Sequence, residues 1–201
     1  MTTEQTVTRL PYWERYVAPT HNWRLDPRTG LERRPPGEDL AAMRSGLSRP
    51  VMDSPKMWPH YSCEVNDALA LRDEVSDEQK AEHAALALFG LHQQSQTRPM
   101  HRQGIKLGHA LRLLRQSGKF SEEALDRRVA ALAGATSVPA LVVHLRGLVT
   151  QLRSVGQPLD YTHLMADIQA WHSTERRPEV RLKWALGYQS WKQEKPEPPN
   201  A

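Results

Sequence analysis

The segment PALVVHLRGLVTQLRS, residues 139–154, spaces Leu141, Leu145, Leu148 and Leu152 four, three and four residues apart. Because an α-helix turns once in about 3.6 residues, this spacing keeps the four side chains on one helix face. A helix with one apolar face buries it against other elements. The segment therefore predicts a core helix in a protein built from packed helices.

Capping residues on both sides of this segment predict further helices. Ser76 and Gln79 have the spacing of a capping box, and Ser121 and Asp160 each precede an apolar stripe as an N-cap residue would. Pro178 fits the first turn of a last helix. There is no alternating β-branched run and no Asn-Gly or Asp-Gly hairpin signal. We predict an all-α fold, a compact antiparallel helical bundle of about seven helices with a loop-rich N-terminal subdomain.

Proline marks the ends of the chain, with eight of the fifteen in residues 1–60 and three in residues 196–199. Proline interrupts helices, so these ends are expected to lack long ones. Residues between them are expected to form one domain. The predicted division is a poorly ordered N-terminus (1–20), a single helical domain (21–192, with a loop-rich subdomain 21–63 and a helical bundle 64–192) and a disordered tail (193–201).

The composition excludes several classes of protein. No apolar run in the 201 residues approaches the roughly 18 residues that span a bilayer. The start, MTTEQTVTRL, lacks the pattern of a secretory signal. Cys63 is the single cysteine, so neither an internal disulfide nor a cysteine-based zinc site is possible within the chain. These features predict a cytoplasmic protein without a membrane partner or a cofactor.

The charge is basic and dominated by arginine. The formal net charge is +4 with a sequence pI of about 9.4, and arginine outnumbers lysine by 20 to 7. Arginine suits phosphate recognition because its planar guanidinium makes bidentate contacts. A GC-rich coding bias also raises the arginine content. Composition alone leaves these two explanations open.

The positive charge is concentrated in residues 98–153, where ten basic residues face three acidic ones. Helical spacing places Arg146 and Arg153 at the edge of the leucine face, so both head groups are expected to reach outward. Such residues on neighbouring helices would form a surface for a sugar–phosphate backbone. The alternative is that each arginine only solvates its helix. The ten are Arg98, Arg102, Lys106, Arg112, Arg115, Lys119, Arg127, Arg128, Arg146 and Arg153.

Catalytic and metal-binding signatures are sparse. P-loop, GxSxG, HExxH and GxGxxG motifs do not occur, and no two histidines are spaced i, i+4. Seven acidic residues cluster at 64–82, which fits either a two-metal nuclease or, as we favour, a solvated surface. Cys63 is interpreted as a packed residue and not as a nucleophile. We predict no catalytic residue and no metal site.

Seven segments follow one another in a characteristic order: GEDLAAMRSGL (37–47), ALALFGLHQ (85–93), QGIKLGHALR (103–112), RRVAALAGA (127–135), VVHLRGLVTQLRS (142–154), PLDYTHLMADIQAW (158–171) and KWALGYQSW (183–191). Together they resemble the CasB family, the small subunit of the type I-E Cascade CRISPR surveillance complex. The resemblance covers roughly residues 22–191. Position 45, where the family often has a second arginine, is Ser45, and the arginine cluster at 24–36 has no firm counterpart.

The resemblance implies a non-enzymatic subunit that pairs with a second copy inside a complex containing crRNA, with backbone and large subunits as neighbours. It implies contacts with the target and displaced DNA strands of the R-loop, at Arg44, Arg127, Arg128 and Arg146. Residues of the same basic stretch extend this set by Arg98, Arg102, Lys106 and Arg112. The open alternative is a helical adaptor that binds only proteins, with arginines as salt-bridged spacers.

Overall fold

A computed structural model describes residues 9–189 of the chain. This part contains eight α-helices, three short 3-10 helices and one two-stranded sheet, which confirms the all-α prediction. The strands are β1 (Arg24–Leu25) and β2 (Glu32–Arg33), and the α-helices are α1 (Gly37–Ser45), α2 (Asp67–Ala70), α3 (Asp77–Gln93), α4 (Leu107–Gln116), α5 (Glu122–Ala133), α6 (Val138–Ser154), α7 (Tyr161–Trp171) and α8 (Arg177–Gln189).

Helix α3 is the centre of the core. Every residue from 81 to 90 is buried, and the helix packs against α1, α6 and α7. A helix that is apolar on nearly all sides needs neighbours on all sides, and the AALALFG run of α3 provides this surface. Leu141, Leu145, Leu148 and Leu152 of α6 are all buried in the same core, as their spacing predicts.

The helix starts agree with the predicted caps. Ser76 and Gln79 form a complete capping box, in which each side chain accepts a hydrogen bond from the backbone N–H of the other residue. The Asp160 carboxylate accepts from the backbone N–H of His163 at 3.1 Å. Ser121 accepts from Ala124 N–H in the same way. These local interactions could be predicted because they depend on residues only three positions apart.

Two glycines let α4 and α8 approach closely. A Cβ atom added to Gly108 would overlap the Trp184 carbonyl group and lie 3.1 Å from Gly187 Cα. The two helices therefore meet backbone to backbone at this crossing. Gly147 on α6 is different, because a Cβ atom there would meet no atom within 4 Å.

We expect Gly108→Ala and Gly147→Ala to have opposite effects on stability. Gly108→Ala forces α4 and α8 apart and should lower the free energy of unfolding by roughly 1–3 kcal/mol. Gly147→Ala reduces the freedom of the unfolded chain without a clash and should raise it by about 0.5–1 kcal/mol. Urea denaturation of both variants measures the difference. Equal shifts would contradict the close crossing of α4 and α8.

The N-terminal segment departs from its predicted disorder over residues 1–20. Within the described part of that range, Tyr12, Trp13 and Val17 are buried, and Trp13 is 0% exposed. Trp13 packs beside Phe89 of α3 and Tyr161 of α7. The segment is thus part of the core, because its aromatic side chains fill space that the helices leave open. The predicted tail at 193–201, like residues 1–8, lies outside the described residues.

A small hairpin follows this segment, although the sequence shows no hairpin signal. Arg24 pairs with Arg33 and Leu25 with Glu32 in antiparallel register. Asp26 closes the turn by accepting hydrogen bonds from the backbone N–H groups of Arg28 and Thr29 at 2.8 and 3.0 Å. The turn is longer than the two-residue type that a search for Asn-Gly or Asp-Gly detects. Across residues 9–189, no helix is both long and apolar enough to span a membrane.

Two buried histidines link stability to pH. Burial lowers the pKa of His101 to about 4 and that of His92 to about 3. His101 accepts a hydrogen bond at Nδ1 from the backbone N–H of Tyr161 at 3.1 Å, and protonation of Nδ1 would remove this acceptor. Both histidines are therefore held in the neutral form in the folded protein.

We expect the protein to lose stability as the pH falls below about 6.5. Below this pH the histidine side chain takes up a proton in the unfolded chain, whereas His101 in the folded protein stays neutral until about pH 4. The free energy of unfolding therefore falls by about 1.4 kcal/mol per pH unit for each such histidine. Urea denaturation at pH 7.5 and 5.0 measures the loss. His101→Asn keeps an acceptor for Tyr161 N–H and should reduce the pH dependence. An unchanged pH dependence in this variant would contradict the assignment to His101.

Candidate nucleic-acid interface

The eight basic residues predicted to bind nucleic acid lie on several elements. Six of them are exposed, while Arg44 on α1 and Arg112 on α4 are half-buried. The exposed six are Arg98 and Arg102 in the loop between α3 and α4, Lys106 at the N-cap of α4, Arg127 and Arg128 on α5, and Arg146 on α6.

Most of these side chains form no ion pair with a carboxylate in the described part of the chain. Across residues 9–189, no ion pair joins a carboxylate to Arg44, to Lys106 or to any of the exposed arginines of the set. Arg112 differs, since it interacts within the fold and its charge, after the effect of burial, helps to lower the pKa of His109. Exposed guanidinium groups without a carboxylate partner are able to contact an external anion.

Other arginines of the basic stretch are used inside the fold. Arg153 Nη1 donates to the Leu91 carbonyl at 3.2 Å and to Gln94 Oε1 at 2.8 Å, so it caps the end of α3. The prediction that the Arg153 head group reaches outward beside Arg146 is therefore wrong. Arg115 pairs with Glu122 at 2.7 Å and Asp126 at 3.4 Å, as the adaptor hypothesis would require for this residue.

The structure brings some of the predicted residues together and separates others. Arg127 and Arg128 lie on α5 and Arg146 on α6, and these two helices pack against each other. Lys106 lines a cleft of about 180 Å³ between α7 and α8. Arg112 lines a groove of about 760 Å³ between α4, α5 and α8, which also contains Glu122 and Asp126. The eight residues thus occupy separate surfaces and do not share a single cleft.

Arg98 and Arg102 share a further cleft of about 270 Å³. His21 and Asn22 of the N-terminal segment line the same cleft. Sequence reasoning missed these two residues, because they are nearly eighty positions from Arg98 and no motif connects them. The nearest signal is Trp23, whose Nε1 donates to the Thr97 carbonyl at 2.8 Å and ties the two segments together.

The acidic residues of segment 64–82 lie mostly at the surface. Six of its seven acidic residues are exposed, as a solvated surface would have them. Glu82 is the exception, because it is 0% exposed and accepts hydrogen bonds from Ser62 N–H at 2.7 Å and Cys63 N–H at 2.9 Å. Within the part of the chain that the structure describes, no group of three or more His, Cys, Asp or Glu residues could hold a metal ion.

Cys63 sits in surroundings that disfavour the thiolate. Burial, together with its hydrogen bond to Glu82, raises the pKa of the thiol well above its ordinary value. A nucleophilic cysteine requires the opposite shift. The packed role predicted for Cys63 therefore fits its surroundings better than a catalytic role.

Residues 39–188 match the family of the CRISPR-associated protein Cse2. The chain belongs to this family. The resemblance to CasB found in the sequence is thereby confirmed. The Cse2 match begins at residue 39, so the segment with His21 and Asn22 precedes it. No curated protein sequence matches the chain.

Solved structures of Cse2 and CasB proteins share the fold. CasB from Thermobifida fusca is 28% identical, with a TM-score of 0.59 and coverage of 76% of this chain and 84% of that one. A Cse2 family protein from Thermus thermophilus is 26% identical, with a TM-score of 0.56 and coverage of 75% and 85%. CasB from M. ruber is 25% identical, with a TM-score of 0.57 and coverage of 78% and 86%.

Proposed function

We propose that this Cse2 family protein is the non-catalytic small subunit of a type I-E Cascade CRISPR surveillance complex in antiviral defence. It holds the target and displaced DNA strands of the R-loop by their backbones. Its partners are the crRNA, the backbone and large subunits and a second copy of itself, in the cytoplasm. Guide pairing reads the sequence in such complexes, so this subunit needs only to bind phosphate.

The observation that carries this proposal is the set of exposed cationic side chains without ion pairs. Arg127, Arg128 and Arg146 lie on two packed helices and form no ion pair with a carboxylate among the described residues. Their charge is available for phosphate oxygens, and each contact releases counterions from the nucleic acid. Family membership and this free charge point to the same ligand.

Binding to the backbone fits better than base readout. Glu122 and Glu123 occupy the first turn of α5, where a recognition helix would approach the bases. These carboxylates would repel phosphate at that end of the helix. Aromatic side chains that could stack on bases are mostly in the core, where Trp13, Trp171 and Trp184 are buried.

Three other arginines support the adaptor hypothesis, because their side chains make contacts within the fold. Arg115 pairs with carboxylates, Arg153 caps α3, and Arg181 Nε donates to the Ala133 carbonyl at 2.6 Å at the end of α5. These side chains serve the fold. The two hypotheses therefore differ in what the remaining exposed basic residues do.

A salt titration of the full chain with labelled single-stranded DNA separates the two hypotheses. For phosphate contacts, the logarithm of the association constant should fall with the logarithm of salt concentration with a slope of about −0.7 per contact, alike for unrelated sequences. Binding that is absent or independent of salt would overturn the proposal and favour the adaptor. Added Mg²⁺ or Mn²⁺ should cause no cleavage of the same DNA, and cleavage would favour a nuclease.

A further inference from the structure

The cleft that contains Arg98 and Arg102 lies between three loop segments. Thr20, His21 and Asn22 come from the N-terminal segment, Arg98 and Arg102 from the loop before α4, and Gly156 and Pro158 from the turn before α7. Its volume is about 270 Å³, at the small end for a ligand pocket. This size suits a single small group and not an extended ligand.

The lining of this cleft contains no carboxylate. Arg98 and Arg102 line it together with three residues that carry hydrogen-bonding side chains, Thr20, His21 and Asn22. The other two clefts with predicted residues differ, since Glu122 and Asp126 line the groove at Arg112, and Asp167 and Glu179 line the cleft at Lys106. Donors and positive charge without an opposing acid favour an anion.

Hydrogen bonds to neighbouring residues hold the backbone that carries the two arginines in place. Buried Gln93 donates through Nε2 to the Arg98 carbonyl at 2.9 Å and accepts from Met100 N–H at 2.8 Å. The backbone N–H of Arg102 donates to the Leu159 carbonyl at 3.0 Å. These bonds fix the attachment points of both side chains before any ligand binds, which lowers the cost of ordering them.

The opposite wall is fixed as well. Trp23 Nε1 donates to the Thr97 carbonyl at 2.8 Å and anchors the N-terminal segment on the arginine loop. The backbone N–H of His21 donates to the Ala18 carbonyl at 2.8 Å, and Ala18 N–H donates to the Asn22 carbonyl at 2.9 Å. The backbone of His21 has a φ of +65°, which residues other than glycine rarely adopt. The closed turn holds it in this conformation. The turn therefore presents His21 and Asn22 at a defined position.

We propose that this cleft binds one phosphodiester group of a nucleic-acid backbone. Arg98 and Arg102 supply the charge, and His21 and Asn22 supply further hydrogen-bond donors. The inference rests on the proposed function and deepens it by assigning one phosphate position. It also gives a role to an N-terminal segment that precedes the Cse2 match.

The test measures binding of the full chain to a labelled single-stranded DNA of about 20 nucleotides by fluorescence anisotropy at several salt concentrations. Arg98→Ala with Arg102→Ala should reduce the steepness of the salt dependence by about 0.7, the value for one phosphate, and lower the affinity roughly tenfold. Arg98→Lys with Arg102→Lys should keep the steepness, because the charge is retained. Asn22→Leu should weaken binding a few-fold without changing the steepness, because it removes a donor and no charge.

The matched control is Arg34→Ala with Arg72→Ala, which removes the same charge from two exposed arginines that pair with Glu32 and Glu74. The proposal for the cleft is overturned when the Arg98→Ala/Arg102→Ala variant has the same DNA affinity and salt dependence as the control, while the combined Arg127→Glu, Arg128→Glu and Arg146→Glu variant still binds more weakly. The proposed function itself fails when the unmodified chain shows no salt-dependent binding. Circular dichroism of each variant establishes that the fold is intact.

Discussion

Charge reversal at Arg127, Arg128 and Arg146 together is expected to lower the affinity for single-stranded DNA on the order of 100-fold. Each of these exposed side chains extends from α5 or α6, and none forms an ion pair with a carboxylate among the described residues. Three lost phosphate contacts should also reduce the steepness of the salt dependence by about 2. The loss should be similar for unrelated sequences, because phosphates carry no sequence information.

The control for this variant is charge reversal at three basic residues outside the predicted set that already pair with carboxylates. Arg34, Arg72 and Lys80 pair with Glu32, Glu74 and Asp77, so the control changes the net charge equally. Helical content measured by circular dichroism should match the unmodified chain in both variants. An equal loss of affinity in the control, or a loss confined to one DNA sequence, would contradict backbone binding at α5 and α6.

Trp13→Ala is expected to lower the free energy of unfolding by roughly 3–5 kcal/mol. The Trp13 side chain is 0% exposed, lies beside Phe89 and Tyr161, and donates through Nε1 to Thr162 Oγ1 at 2.9 Å. The substitution leaves a cavity between the N-terminal segment, α3 and α7. It also leaves Thr162 without this donor.

Trp58→Ala is the matched control, because Trp58 is 55% exposed. This control should lower the free energy of unfolding by less than about 1 kcal/mol, since little apolar area returns to water. Urea denaturation of the two variants compares the same change at a buried and an exposed site. Equal destabilisation would mean that the N-terminal segment is not part of the core.

Local signals in the sequence predicted most of the helical framework. The capping residues Ser76, Ser121 and Asp160 act through backbone N–H groups three positions away, so their roles can be derived without knowledge of the tertiary structure. The leucine spacing of 139–154 likewise reflects the period of one helix. Pro178 lies in the first turn of α8, which begins one residue earlier at Arg177.

The remaining features depend on contacts between distant segments. Trp13 is buried only because α3 and α7 enclose it, although its proline-rich surroundings suggest a loop. Glu82 belongs to an acidic cluster, yet backbone N–H groups of Ser62 and Cys63 allow it to be buried. Helical spacing places Arg153 beside Arg146 at the edge of the leucine face, but its guanidinium group donates to a carbonyl at the end of α3. The spacing of apolar residues along the sequence does not indicate these tertiary contacts.

The candidate site shows the same division. Its basic residues could be selected from composition and from the family resemblance, but their grouping could not. Arg98 and Arg102 meet His21 and Asn22 only through the anchor from Trp23 to Thr97. Arg115 belongs to the same basic stretch, but the structure pairs it with Glu122 and Asp126.

The most direct measurement is the lifetime of the R-loop on a surveillance complex assembled with either the unmodified chain or the Arg127/Arg128/Arg146 charge-reversed variant. Both complexes should contain the same subunits and the same guide RNA. The complex with the variant should release target DNA faster, and the difference should shrink as salt is raised, since salt screens phosphate contacts. Equal lifetimes at all salt concentrations would contradict the claim that this protein holds the nucleic-acid backbone.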